Sequence, residues 1–357
     1  MVVMCLLQGF AFSGFAPRPL LAMVLRLAIA MLLGIGSAGA QQNASAMKAL
    51  RERLLGGKSD MDPNVPPSTS LIAARRQLHD LLLLHIPKTA GASLFQQLQV
   101  NFDIRGTTVS SETCLPPYHE GNTPRVVMLR APRAHVVSQY LECRYSRWGK
   151  WLQQKFPGFR SSYVDNMSDI AGMTKWTDHF LRHAWAPFAQ PDAIDYHCYD
   201  PRDMQTRALT CRSNATFASH AAPAKWRGDA SAAVRNAQAP GIILTLTELY
   251  RASVCHVHWQ LQQRLPQGCA CADVAAVAAN QTMGVVRVTH GIPHLEVDEL
   301  PSALVEQIDR LTATDAVVYA VLARKALGAM RDAERDANTS FVCADELQKL
   351  ASALQVR

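Results

Sequence analysis

The chain has 357 residues, a formal net charge of +7 and a sequence pI near 9.0. That length accommodates one large α/β domain or two smaller ones with a sizeable core, and the basic balance suits an anionic ligand, a nucleic acid or an anionic membrane surface alike. The sequence carries no RNA- or DNA-binding motif and no basic stripe interleaved with aromatic residues, so nucleic acid is not an expected partner.

Residues 19–38, PLLAMVLRLAIAMLLGIGSA, form the one hydrophobic stretch of membrane length, with Arg18 before it and Arg26 inside it. A span of about 20 apolar residues crosses a bilayer, and Arg26 costs about 2–3 kcal/mol near its centre. The stretch ends in SAGA before Gln41, which resembles a signal-peptidase site and makes a signal peptide starting at Met23 the alternative to a signal-anchor. Both readings send the remainder into the secretory lumen, and the anchor leaves residues 1–18 as a short cytoplasmic N-terminus. Between Gly39 and Arg75 the chain is polar and small, with PNVPPS at Pro63–Ser68. Residues 39–78 are therefore expected to be a stem, partly helical around Ala46–Leu55, and residues 79–357 the luminal domain.

The run from Leu81 to Gln99, LLLLHIPKTAGASLFQQLQ, predicts a buried strand, a Lys-and-Gly loop and a helix capped by Ser93. The first turn of a helix has unpartnered N–H groups and a positive macrodipole end, so this loop sits where anions bind. Lys88 brings a mobile charge, Thr89 and Ser93 bring hydroxyls, and Gly91 allows close backbone approach. It is not a nucleotide-triphosphatase P-loop: that pattern places Lys after the last Gly and beside a Mg²⁺-binding hydroxyl, whereas Lys88 precedes Gly91. RVVMLRAPRAHVVSQY, Arg125 to Tyr140, predicts a second buried strand followed by a helix that opens on Pro132. After it come Arg144, Arg147, Trp148 and Lys150, a basic and aromatic set that fits an acceptor surface or a helix C-terminus stabilised by its cations. Further along lie PRDMQTRAL (Pro201–Leu209), GIILTLTELYRASVCHVHWQL (Gly241–Leu261) and LTATDAVVYAVLARK (Leu311–Lys325). The Ala-rich segment from Ser213 to Pro240 is expected to be a surface excursion that adds little core.

Two features support a luminal location. Five N-x-[ST] sequons stand at Asn43, Asn166, Asn214, Asn280 and Asn338, all acceptor patterns for N-glycosylation. With Cys5 set aside, the eight cysteines Cys114, Cys143, Cys198, Cys211, Cys255, Cys269, Cys271 and Cys343 form an even set available for disulfides, which persist in that compartment. The most local pairing that could close a loop is Cys198 with Cys211. Cys269 and Cys271 have no partner motif at zinc-finger spacing, so no metal is implied.

The loop HIPKTAGAS, His85 to Ser93, resembles the 5′-phosphosulfate loop of sulfotransferases that use 3′-phosphoadenylyl sulfate (PAPS), especially the Golgi carbohydrate branch containing the heparan sulfate 2-O- and 6-O-sulfotransferases. The second motif resembles that family's 3′-phosphate loop, and the later segments resemble its Gln-x-Arg segment, third core strand and closing helix. The likeness covers residues 80–330. It implies an α/β fold with a P-loop-like doubly wound sheet, its central parallel strands flanked by helices. Lys88, Thr89, Ala90, Gly91, Ala92 and Ser93 would hold the phosphosulfate, and Arg130 and Ser138 the 3′-phosphate, a guanidinium fork and a hydroxyl suiting that group. Two departures stand out: Ala131 replaces the acidic residue usual before the Pro, and Ala90 and Ala92 stand where Gly and Thr are commoner.

The resemblance further implies a type II Golgi membrane protein that transfers a sulfuryl group from PAPS to a carbohydrate hydroxyl; a glycolipid or protein-tyrosine sulfotransferase, and an inactive secreted carbohydrate-binding relative, are the rival readings. Lys88 would stabilise the leaving oxygen. The base would come from the stretch between the two loops, with His119 in CLPPYHEGN first, Glu120 second, and Glu112 and Asp103 also present. His119 is favoured because an imidazole of pKa about 6.5 accepts protons near neutrality. His85 resembles a structural histidine, His290 and His294 are candidate substrate-loop residues, and Arg207 could meet an acceptor sulfate or a structural carboxylate. The luminal reading predicts that N-glycosidase treatment increases the mobility of the expressed protein and that a C-terminal tag resists protease in intact microsomes; full protease access with no mobility shift rules out a luminal domain.

Overall fold

Parallel strands covered on both faces must be apolar almost throughout, and this chain supplies three such runs and, in TTVSS, one polar strand at the sheet edge. In the computed structural model, which describes residues 80–101, 107–111, 115, 123–155, 167–182, 198–210, 229–272 and 292–354, they form β1 (Asp80–Leu84), β2 (Thr107–Ser111), β3 (Arg125–Leu129) and β4 (Ile242–Leu246). All pair in parallel, in the order β2-β1-β3-β4. The chain thus runs from β1 out to β2, then returns past β1 to lay down β3 and β4 on the other side. The direction of winding reverses between β1 and β3, and in open α/β sheets ligands bind beyond the carboxyl ends of the strands at such a reversal. The expected anchor and stem lie outside the described residues, and among the described ones no helix is long and apolar enough to cross a membrane.

Helices α1 (Gly91–Asn101) and α7 (Tyr250–Gln262) share a core with one face of the sheet: Leu94, Leu98, Val254, Val257 and Leu261 pack with Leu81, Leu83, Val126, Met128 and Ile243. The period-2 alternation of the strand residues and the helical spacing of their partners are the sequence pattern made physical. Between these helices come α2 (Pro132–Tyr145), α3 (Arg147–Lys155), α4 (Asp169–Arg182), α5 (Met204–Thr210) and α6 (Ala230–Ala237). After α7 follow α8 (Ser302–Leu311), α9 (Ala313–Ala337) and α10 (Ala344–Leu354). Pro132 opens α2 as the sequence predicts.

Three expectations need correction. Ser93 does not cap α1: the helix begins at Gly91 and its first bond runs from Leu94 N to Ala90 O at 3.0 Å, so Ser93 lies inside the first turn. The Ala-rich segment contributes core after all, because Ala230, Ala233, Val234 and Ala237 are buried where α6 packs against α5 and α9; small side chains serve there by letting helices approach closely. Cys198 pairs with Cys143, joining the last turn of α2 to the approach to α5, and not with Cys211. Two more disulfides, Cys255–Cys269 and Cys271–Cys343, tie α7 to the start of α10.

Helices α5 and α9 cap each other. The Asp203 carboxylate accepts from Thr314 N (2.8 Å) and Asp315 N (3.0 Å), while Asp315 accepts from Gln205 N (3.1 Å), Thr206 N (2.7 Å) and Thr206 Oγ1 (2.6 Å). Each carboxylate satisfies orphan amides at the start of the other's helix, the most favourable place for an acid on either. Burial raises both carboxyls, and Asp203 beside Asp315 pushes the latter up to about 7. A carboxyl raised by folding adds stability that is complete below its unfolded value and is lost as pH climbs through the folded one. The stability of the wild type relative to Asp315→Asn should therefore fall between about pH 4 and 7, measured by thermal unfolding of both proteins; a gap that stays constant over that range shows that Asp315 does not titrate there.

Candidate functional site

The site forms where β1 and β3 end. Past Leu84 the backbone turns through His85, Ile86, Pro87 and Lys88 to the start of α1, and two residues without glycine's freedom adopt positive φ: Lys88 at 67° and Ala90 at 65°. Such a conformation costs an L-residue about 1–2 kcal/mol and persists only when its surroundings over-determine it. They do. Ile86 O accepts from Thr89 N (3.3 Å) and Thr89 Oγ1 (2.8 Å), and Pro87 O accepts from His135 Nε2 (2.7 Å). Lys88 O accepts from Arg130 Nη1 (3.1 Å) and Thr89 O from Thr247 Oγ1 (2.9 Å). Because C=O and N–H of one trans peptide point in opposite directions, anchoring the Pro87 and Thr89 carbonyls turns the amides of Lys88 and Ala90 away from these partners.

Gly91 is required by close approach. A Cβ there would lie 2.3 Å from His85 Cδ2, so the imidazole packs directly on the first turn of α1. Burial and the neighbouring Lys88 charge lower His85 to about 4, which keeps the ring neutral. Ala92 and Ser93 occupy the same first turn, both partly buried.

Arg130 stands at the end of β3. Gln205 brackets it with two backbone bonds, accepting from Arg130 N at 2.9 Å and donating to Arg130 O at 2.8 Å. Burial pulls the guanidinium below its ordinary value, opposed by the charges of Glu248 and Glu296 and by Tyr319. The next amide, Ala131 N, donates to Glu248 Oε1 at 2.8 Å, and Glu248 Oε2 accepts from Tyr319 OH at 2.6 Å. Glu248 thus supplies, from the end of β4, a carboxylate beside Arg130 that residue 131 itself does not provide. On α2, Ser138 is partly exposed, with His135 one turn before it and Glu142 one turn after. Glu142 Oε2 lies 2.5 Å from Lys88 Nζ.

No family model, curated protein or solved structure matches the chain. The site must be read from its own residues. The structure brings Lys88, Thr89, Ala90, Gly91, Ala92, Ser93 and Arg130 to the carboxyl ends of β1 and β3 beside the positive end of α1, while Ser138 lies on α2 between His135 and Glu142, the two residues of that helix that reach the loop. His119, Glu120, Glu112 and Asp103 lie outside the described residues, as does His290.

Other candidates have structural roles. Arg144 is buried, donating to Tyr140 OH (2.9 Å), Ser168 O (3.2 Å) and Met167 O, and pairing with Asp169 at 3.2 Å, so it is no acceptor contact. Arg207 is buried against Asp200, donating to its backbone O at 2.6 Å with Nη1 3.9 Å from its carboxylate, so a structural carboxylate faces it. Trp148 packs at a tilt against Tyr199 with centroids 5.3 Å apart, while Arg147 and Lys150 are exposed. His294 is exposed, its Nδ1 3.3 Å from Glu296.

Sequence reasoning passed over His135, Glu142, Thr247, Glu248 and Tyr319, and noted Gln205 only as part of a segment. Two signals were available: residues 135, 138 and 142 share one helix face by spacing, and Thr247 and Glu248 follow a core strand directly, at the end where sheets of this kind bind ligands. Gly91→Ala should destabilise the protein by about 1–3 kcal/mol, the usual range for overpacking. Adding His85→Ala should recover part of that loss, measured by denaturant unfolding; additive losses would show that the ring is not what the methyl meets.

Proposed function

We propose that this chain is a PAPS-dependent sulfotransferase that acts on a carbohydrate hydroxyl in the Golgi lumen, held there by residues 19–38 as a single-pass type II anchor, and that its sheet is the doubly wound, P-loop-like core of that family. The observation that carries the reading is the bond from Arg130 Nη1 to Lys88 O: the two loops that the sequence singled out separately meet at the reversal point of the sheet. The resemblance of HIPKTAGAS and RVVMLRAPRAHVVSQY to the two cofactor loops, and the net charge of +7, point the same way.

The residues present suit a donor with two anionic ends. Lys88, the first turn of α1 and the amides of Lys88 and Ala90 would hold the phosphosulfate, while Arg130 and Ser138 would hold the 3′-phosphate. The donor supplies an activated sulfuryl group. The acceptor oxygen forms a bond to sulfur, the bond from sulfur to the 5′-phosphate oxygen breaks, and the hydroxyl proton passes to a base, the role proposed for His119. Lys88 places its charge where the departing oxygen becomes anionic, a contribution whose removal typically costs about 10²–10³ in rate. Buried His135, lowered to about 3 chiefly by desolvation, is not that base: its Nε2–H holds Pro87 O and thereby the loop.

The test is thermal unfolding with the product 3′,5′-ADP. A ligand at a hundredfold excess over Kd stabilises the native state by about 2.7 kcal/mol, so Tm should rise, and Arg130→Ala should remove the rise. With radiolabelled PAPS, an acceptor panel of glycosaminoglycans, other glycans, a glycolipid and a tyrosine peptide should show label on a carbohydrate, and Lys88→Ala should abolish it. An unchanged Tm at millimolar ligand overturns the reading.

A further inference from the structure

Glu142 places a negative charge inside a site that otherwise selects anions. Its Oε2 lies 2.5 Å from Lys88 Nζ, with the two side chains only 10% and 18% exposed. Helix stability does not call for an acid there, because Glu142 lies in the last turn of α2, where the macrodipole disfavours negative charge. Among the described residues Lys88 is the one group that bonds its carboxylate. A carboxylate so withdrawn from water depends on its cation, and the cation on it. The two residues are 54 positions apart, one on the loop after β1 and one on the helix after β3, so the pair spans the same join as the bond from Arg130 to Lys88.

We propose that Glu142 is a positioning residue for Lys88, holding the ammonium at the join of the two loops before a donor arrives and keeping it aimed once an anion shares it. This rests on the sulfuryl-donor reading. A flexible four-carbon stem otherwise leaves the charge free to sample solvent, and a charge that must be aimed during reaction loses the benefit of prior placement. The carboxylate also competes with the incoming phosphosulfate for the same ammonium. Aim and affinity are therefore traded against each other: removing Glu142 should tighten nucleotide binding and slow transfer.

The experiment compares the wild type with Glu142→Gln, which keeps size and shape, and with Glu142→Asp, which keeps the charge on a shorter arm. First, acylation of Lys88 by an amine-reactive ester is followed by peptide mass spectrometry on the ligand-free full-length protein. It should be about fivefold faster in Glu142→Gln, since a charge-assisted hydrogen bond no longer holds the amine. Second, the affinity for 3′,5′-ADP should rise about three- to tenfold in Glu142→Gln as the competing carboxylate is removed, while kcat for transfer from PAPS falls at least about tenfold for want of prior placement. Glu142→Asp should recover part of the loss in kcat. A merely structural role would lower both quantities together.

Equal acylation rates in wild type and Glu142→Gln overturn the proposal, as does nucleotide affinity that falls along with kcat. If Glu142→Gln fails to fold, Glu142→Asp carries the same comparison: slower transfer without weaker nucleotide binding supports the role, and parallel losses overturn it. A wild type that binds no 3′,5′-ADP overturns the cofactor reading and with it the role toward the donor, whereas the acylation contrast reports on the ion pair whatever the ligand proves to be.

Discussion

Two side-chain-bearing residues, Lys88 and Ala90, must be kept in the left-handed region of backbone space, and much of the architecture around the strand ends serves that constraint. Each brace on the loop comes from a different element: Arg130 from the end of β3, His135 from α2, Thr247 from the end of β4. The braces are themselves braced. Gln205 fixes the Arg130 backbone, Asp315 caps the helix that carries Gln205, and Tyr319 orients Glu248 against Ala131 N. A loop conformation costing a few kcal/mol is thus distributed over contacts that each return about 1 kcal/mol, and loss of any one leaves others in place.

The electrostatics follow from the same packing. Desolvation keeps His85 and His135 neutral near physiological pH, at about 4 and about 3 respectively, so neither adds to the positive charge of the site. That charge comes from Lys88, ion-paired with Glu142, and from Arg130, which feels the charges of Glu248 and Glu296. The helix terminus of α1 adds a fixed dipole that does not titrate.

Much of the fold was legible because its signals are local. The strand, loop and helix around Lys88, the second unit opening on Pro132 and the third around β4 are carried by apolar runs that break at Gly or Pro, and each lies where the pattern puts it. What escaped depends on contacts between residues distant in sequence. Nothing near Cys143 announces Cys198, and no local pattern says that Glu142 will meet Lys88 or that Glu248 will stand in beside an alanine. The same holds for the burial of α6, since small residues read as weak core until a neighbouring helix comes close enough to use them. Ser93 illustrates a subtler limit: a good capping residue was present, but the left-handed backbone at Ala90 started the helix earlier.

The mutual capping of α5 and α9 bears on how this fold could be divided. Gln205, which positions Arg130, sits on a helix whose first amides are held by Asp315, and Glu248 is oriented by Tyr319 from the same C-terminal helix. The N-terminal half contains both loops, yet their fixed geometry is supplied from residues more than 100 positions later in the chain for Asp315. A fragment ending after β4 would therefore keep every side chain proposed to contact the donor and lose the framework that orients them. Domain insertion, circular permutation or proteolytic nicking would be tolerated only where the link from α9 back to β3 survives, so the framework of this site reaches from β1 to α9.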